Sequence, residues 1–143
     1  MSACNPSVLL VEDNKNDAML ARMAMEEGGF RGKVVHVTDG VEAVEFLFGE
    51  AANDRAKLPD IVLLDLNMPR MDGRQVLHRI RQEKKFDGLA VYVLTTSDSR
   101  SDIEKAYNEK ADCYIVKPMN VDEFFDTVKR ACLFWCNVVR RAH

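Results

Sequence analysis

With 143 residues, 47% of them hydrophobic and 30% charged, the chain has the balance of one globular domain and is too short for two ordinary ones. A net charge of −3 gives no support to a general affinity for nucleic acid or anionic lipid. No apolar run approaches the roughly 20 residues that span a bilayer, so neither class of partner is expected.

The start, MSACNPSVLL, lacks the basic region and long apolar segment of a signal peptide, and a cytoplasmic location is the expectation. SVLLVED predicts a first strand ending in Glu12 and Asp13, and an amphipathic stretch from about Lys15 to Glu27 predicts a first helix. KVVHVTDG reads as a second strand, with helical spacing from Val41 to Phe48. GEAANDRAKLP, Gly49 to Pro59, is rich in small and polar residues and reads as a surface loop. DIVLLDLN predicts a third strand closing on Asp65 and Asn67, followed by a helix over Arg74 to Glu83. AVYVLTTSD runs into Thr95, Thr96 and Ser97, and a weaker helix covers Asp102 to Asn108. DCYIVKP predicts a fifth strand ending in Lys117 and Pro118.

The last helix is predicted from Val121 to about Arg140, with Asn120 at its N-cap and Glu123 at N3. Four cysteines, Cys4, Cys113, Cys132 and Cys136, form no C-x-x-C pair and read as reduced.

Strand and helix alternate five times, and strands joined through helices are parallel. The strands are continuous apolar runs, so both faces of the sheet need helices. The expected fold is a doubly wound α/β sandwich with a five-stranded parallel sheet, one domain over residues 1–143 with an extended C-terminal helix.

In such a sheet all the strands' carboxyl ends share one edge, where ligands bind. Glu12, Asp13, Asp65, Asn67, Thr95 and Lys117 all fall there. Crowded carboxylates repel by on the order of 1 to 4 kcal/mol per pair at about 4 Å, so a cation is called for. Hard oxygen donors without His or Cys suit Mg²⁺ or Mn²⁺ rather than zinc. Beside a lysine and hydroxyl groups, the cluster describes a phosphoryl site in which an aspartate accepts phosphate. Each residue alone has an ordinary reading: Asp65 as the cap of the next helix, Asp13 or Asn14 as the cap of the first, Lys117 as a surface charge. The joint occurrence at four strand ends favours the chemistry.

VED at Val11 to Asp13, DLNMPRMDG at Asp65 to Gly73, LTT at Leu94 to Thr96 and YIVKP at Tyr114 to Pro118 resemble, in order and spacing, the response-regulator receiver domain of two-component signalling. The resemblance covers essentially the whole chain and implies a flavodoxin-like strand order of 2-1-3-4-5. It implies that Asp65 is phosphorylated from a sensor histidine kinase. Asp13 and the backbone carbonyl of Asn67 would bind Mg²⁺ directly, with Glu12 acting largely through water. Thr95 and Lys117 would contact the phosphoryl group, Thr95 and Tyr114 would form the switch, and the Lys117–Pro118 peptide would be cis. LTTSDS, DCYIVKP, FFDTV and LFWCNVV are further similar to small stand-alone regulators that pair with bacterial and cyanobacterial phytochrome kinases and dimerise through the fourth helix, fifth strand and fifth helix.

Two apolar stripes on the last helix fit that surface. Val121, Phe125, Val128, Cys132, Trp135 and Val139 form one, and Phe124, Ala131, Phe134 and Val138 widen it. A homodimer contact through Phe124, Phe134, Trp135 and Val138 is expected.

Two rival functions are weaker. A phosphohydrolase of the haloacid dehalogenase type needs D-x-D-x-[TV], whereas Asp65 is followed by Leu66, Asn67, Met68 and Pro69. An interaction module without phosphorylation would not need Asp13, Asp65, Thr95 and Lys117 together. The chain contains neither a P-loop nor an appended DNA-binding segment, so an external phosphoryl donor and output by contact or phosphorelay are expected.

Overall fold

The computed structural model describes residues 7–50, 58–68, 70–96 and 99–134. Its strands are β1 (Ser7–Val11), β2 (Lys33–Val37), β3 (Ile61–Leu64), β4 (Ala90–Thr95) and β5 (Cys113–Val116). They alternate with α1 (Lys15–Glu27), α2 (Gly40–Glu45), α3 (Gly73–Gln82), α4 (Arg100–Asn108) and α5 (Val121–Phe134). The strands pair in parallel in the order β2-β1-β3-β4-β5, as the resemblance implied.

Side chains alternate across a strand, and this divides the apolar runs between two cores. Leu9 and Val11 of β1, Val62 and Leu64 of β3, and Val91 and Val93 of β4 meet Ala43, Leu47, Val76, Leu77 and Ile80 on the α2/α3 side. Val8, Leu10, Ile61, Leu63, Tyr92 and Leu94 meet Ala18, Ala21, Met25, Phe124 and Val128 on the α1/α5 side. A continuous apolar strand is what a sheet covered on both faces demands.

Local chemistry fixes the helix starts. Asn14, Asp39, Asp72 and Ser99 cap α1 to α4 by accepting from the backbone N–H three residues on, and Asn120 accepts from Glu123 N at 3.1 Å at the start of α5. Asp72 and Gln75 complete a reciprocal capping box. The Ser99 cap starts α4 two residues before the expected Asp102. Helix α2 ends at Glu45 and widens into a π-helical turn over Phe46–Glu50, where a continuous α-helix to Phe48 was expected.

Two expectations are corrected. Phe124 is a core residue, not a partner-facing one: it is 4% exposed and packs with Val128 beneath α1. Helix α5 lies against α1, which turns Phe124 and Val128 inward and leaves Val121 and Phe134 outside. The Lys117–Pro118 peptide is trans rather than cis, the isomer that X-Pro bonds favour by about 0.5–1 kcal/mol. Trp135, Val138 and the expected run to Arg140 lie outside the described residues, as does most of the Gly49–Pro59 loop. Among the described residues no helix is long and apolar enough to cross a membrane.

Candidate functional site

The parallel ladder runs one step past the strands and sets their ends side by side. Glu12 N donates to Val37 O at 3.1 Å, Asp65 N to Val11 O at 3.1 Å and Lys117 N to Thr95 O at 2.6 Å. The backbone thus aligns Glu12, Asp65, Thr95 and Lys117 at the carboxyl edge. All four are buried, while Asp13 is exposed at the rim.

At the centre is the Lys117 ammonium, 2.5 Å from Glu12 Oε1, 3.1 Å from Asp17 Oδ2 and 3.5 Å from Asp65 Oδ2. Asn67 links two of the strand ends: its N–H donates to Asp65 Oδ1 and its side-chain amide to Thr95 Oγ1, both at 3.1 Å. Glu12 Oε2 accepts from Asn14 N at 3.1 Å, and the Glu12 carbonyl accepts from His36 Nε2 at 2.8 Å.

Burial pushes the Glu12 carboxyl up from 4.5 to about 7, against the pull of Lys117 and with the Asp65 charge adding to the rise. Burial also opposes charge on Lys117. Its hydrogen bond to Glu12 and the charges of Asp65 and Glu12 outweigh this and hold its pKa above the usual lysine value. One ammonium therefore faces more carboxylate than it can neutralise.

That excess is where a cation fits. One oxygen each from Glu12, Asp13 and Asp65 lie within 4.8 Å of one another. The set is all oxygen, the donor chemistry of Mg²⁺ or Mn²⁺.

The loop from β3 to α3 is strapped to α2. Arg70 adopts a left-handed backbone with φ 62° and directs Nε and Nη2 at Asp39 Oδ2, each at 2.8 Å. A Cβ on Gly40 would stand 2.0 Å from Met71 O, so only glycine allows the loop this close. Tyr114 lies half-buried on the α3/α4 side, and its N–H donates to the Tyr107 hydroxyl at 3.1 Å.

The structure thus brings Glu12, Asp13, Asp65, Asn67, Thr95 and Lys117 together and sets Tyr114 on β5, the strand that leads into Lys117. Sequence reasoning missed Asp17 and the Asp39–Arg70 pair. Asp17 sits three residues after the Asn14 cap, on the helical turn nearest the β1 end, and that spacing was the available signal. Nothing in the sequence linked Asp39 to Arg70.

A family model described as the response regulator receiver domain matches residues 8–129. The probable methanogenesis regulatory protein FilR2 of Methanothrix harundinacea (strain 6Ac) is 38% identical over 128 residues, 90% of this chain and 82% of that protein. Response regulator Rcp1 of Synechocystis sp. (strain ATCC 27184 / PCC 6803 / Kazusa) is 33% identical over 132 residues, 92% of this chain and 90% of its own. The Mn²⁺-bound form of Rcp1 superposes with a TM-score of 0.85, covering 93% of this chain and 96% of that one. The phosphorylated cyanobacterial phytochrome response regulator RcpA superposes with a TM-score of 0.86 at 40% identity, over 93% of this chain and 95% of that one.

Proposed function

The chain belongs to the response regulator receiver family, and we propose that it is a stand-alone regulator, a single domain over residues 1–143, that accepts a phosphoryl group on Asp65 from a histidine kinase. The observation that carries this is the placing of Asp65, buried at the sheet edge, within 3.5 Å of the Lys117 ammonium and in one acidic cluster with Glu12 and Asp13.

In the transfer, an Asp65 oxygen attacks the phosphorus of a phosphohistidine in line. The phosphorus–nitrogen bond breaks, its electron pair stays on the imidazole nitrogen, which takes a proton from solvent, and an acyl phosphate forms. Lys117 offsets charge at the acceptor, and Thr95 and the Asn67 amide are hydrogen-bond donors beside it. Asp13, Asp65 and the Asn67 carbonyl would hold Mg²⁺ or Mn²⁺, with Glu12 behind them, and the bound ion supplies positive charge where phosphate and carboxylate meet.

The new charge of about −1.5 to −2 is read through Thr95 and Tyr114 to the α4–β5–α5 face. Val116, Met119, Val121 and Phe134 are exposed on and beside that face, and a second copy of the chain covers it in the proposed homodimer. Output passes to a downstream protein or phosphotransfer domain, in the cytoplasm and without conventional enzymatic turnover. The likeness to RcpA, a cyanobacterial phytochrome response regulator, supports a place downstream of a phytochrome-type light sensor.

Acetyl phosphate with Mg²⁺ should add one phosphoryl group, and Asp65→Asn should abolish it. Equal labelling of the variant would refute the assignment.

A further inference from the structure

The Lys117 ammonium lies nearer to two other carboxylates than to the acceptor. Glu12 at 2.5 Å and Asp17 at 3.1 Å are both closer than Asp65 at 3.5 Å. An ammonium has three hydrogens, and three carboxylates stand around this one. To bond a phosphoryl oxygen on Asp65 more closely than it now meets the Asp65 carboxylate, it has to draw away from one of the two nearer partners.

The partners differ in what release costs. The Glu12 side chain is 4% exposed and would be left charged without solvent, a severe penalty. The Asp17 side chain is 34% exposed and lines an open cleft of about 280 Å³ with Leu20, Thr96, Pro118 and Met119. Set free, it faces water. It also sits in the first turn of α1, where the helix dipole favours a carboxylate with or without the lysine.

On the reading of Asp65 as the acceptor, we propose that Asp17 is a positioning residue that holds Lys117 back from the phosphoryl group in the resting protein. Asp17 thereby weakens the phosphorylated state, and its contact with Lys117 is the one exchanged when the phosphoryl group arrives. Its carboxylate competes with the phosphoryl oxygens for the same ammonium.

Beryllofluoride, a phosphoryl mimic, tests this in the full chain with Mg²⁺, with bound ligand measured by ¹⁹F NMR. Asp17→Asn and Asp17→Ser should each bind it about two- to fivefold more tightly, the range that a partly exposed ion pair commands, and Asp17→Glu should return towards the wild type. The gain should persist between about 20 mM and about 150 mM salt, because a contact at 3.1 Å lies well inside a screening length of about 8 Å or more. Affinity unchanged in both neutral variants, or a gain that disappears over that salt range, would overturn the proposal and leave the phosphoacceptor reading intact. A wild-type protein that fails to bind beryllofluoride overturns both.

Discussion

Gly73 and Asp65 are in backbone contact: a Cβ on Gly73 would stand 2.2 Å from the Asp65 carbonyl oxygen. The first turn of α3 is therefore packed directly against the acceptor's own peptide, and Gly73 N donates to Leu66 O at 3.0 Å. Alanine would add up to about 1 kcal/mol of helix propensity. It would also force backbone against backbone, where overpacking costs about 1–3 kcal/mol or more. The clash wins. Gly73→Ala should lower stability in urea denaturation and slow labelling by acetyl phosphate. An unchanged denaturation midpoint would show that the loop yields freely.

The Glu12 carboxyl gives stability a defined pH dependence in metal-free protein. Its pKa rises from 4.5 to about 7 on folding, so between those values the folded state binds more protons than the unfolded one. The contribution is fully present below pH 4.5 and is lost as pH rises through about 7, on the order of 3 kcal/mol in all. Urea denaturation in a chelator at intervals from pH 5.5 to 8 should show this decline, and Glu12→Gln should flatten it. Stability that rises over this range in a Glu12-dependent way would contradict the burial argument.

Lys117→Ala removes the only ammonium within reach of Glu12 and Asp65 among the described residues. Breaking a buried pair costs about 3–5 kcal/mol, and the loss should be largest above pH 7, where burial no longer keeps Glu12 protonated. The variant should still accept some phosphate but lose most of the phosphorylation-dependent change in amide hydrogen exchange along α4 and β5. Thr95→Ala should do the same less severely. A full exchange response in both variants would place the switch elsewhere.

Phe124 and Phe134 of α5 should separate by phenotype. Phe134 is 54% exposed, so Phe134→Asp should leave folding intact and convert a micromolar dimer into a monomer that still labels at Asp65. Phe124 is core, and Phe124→Ala should cost about 3–5 kcal/mol whatever the association state. Light scattering and denaturation together distinguish the two. A wild type that stays monomeric across that range, phosphorylated or not, would refute the dimer.

The strands were legible because a sheet covered on both faces requires uninterrupted apolar runs, as in Ile61–Leu64 and Ala90–Thr95. The site followed, since parallel topology puts every strand end at one edge. The phase of α5 was not legible: Phe124 and Phe134 belong to one widened stripe in sequence, and only the packing of α5 on α1 decides which is inside. Asp17 went unnoticed because its partner is 100 positions away. The isomer of Lys117–Pro118 is a matter of small energies that a dipeptide does not encode. Asp39 and Arg70, 31 positions apart, carry no local sign of their pairing.

Lys117 and Glu12 are separated by 105 positions, nearly the span from β1 to β5. Contacts at such separation form late, after the loop-closure entropy of the intervening chain has been overcome. A partly folded chain holding only β1 to β3 would bring Glu12 and Asp65 together without an ammonium between them. In chain order, the ammonium of the site comes with the last strand, so a chain without β5 holds the Glu12 and Asp65 carboxylates at an incomplete acceptor.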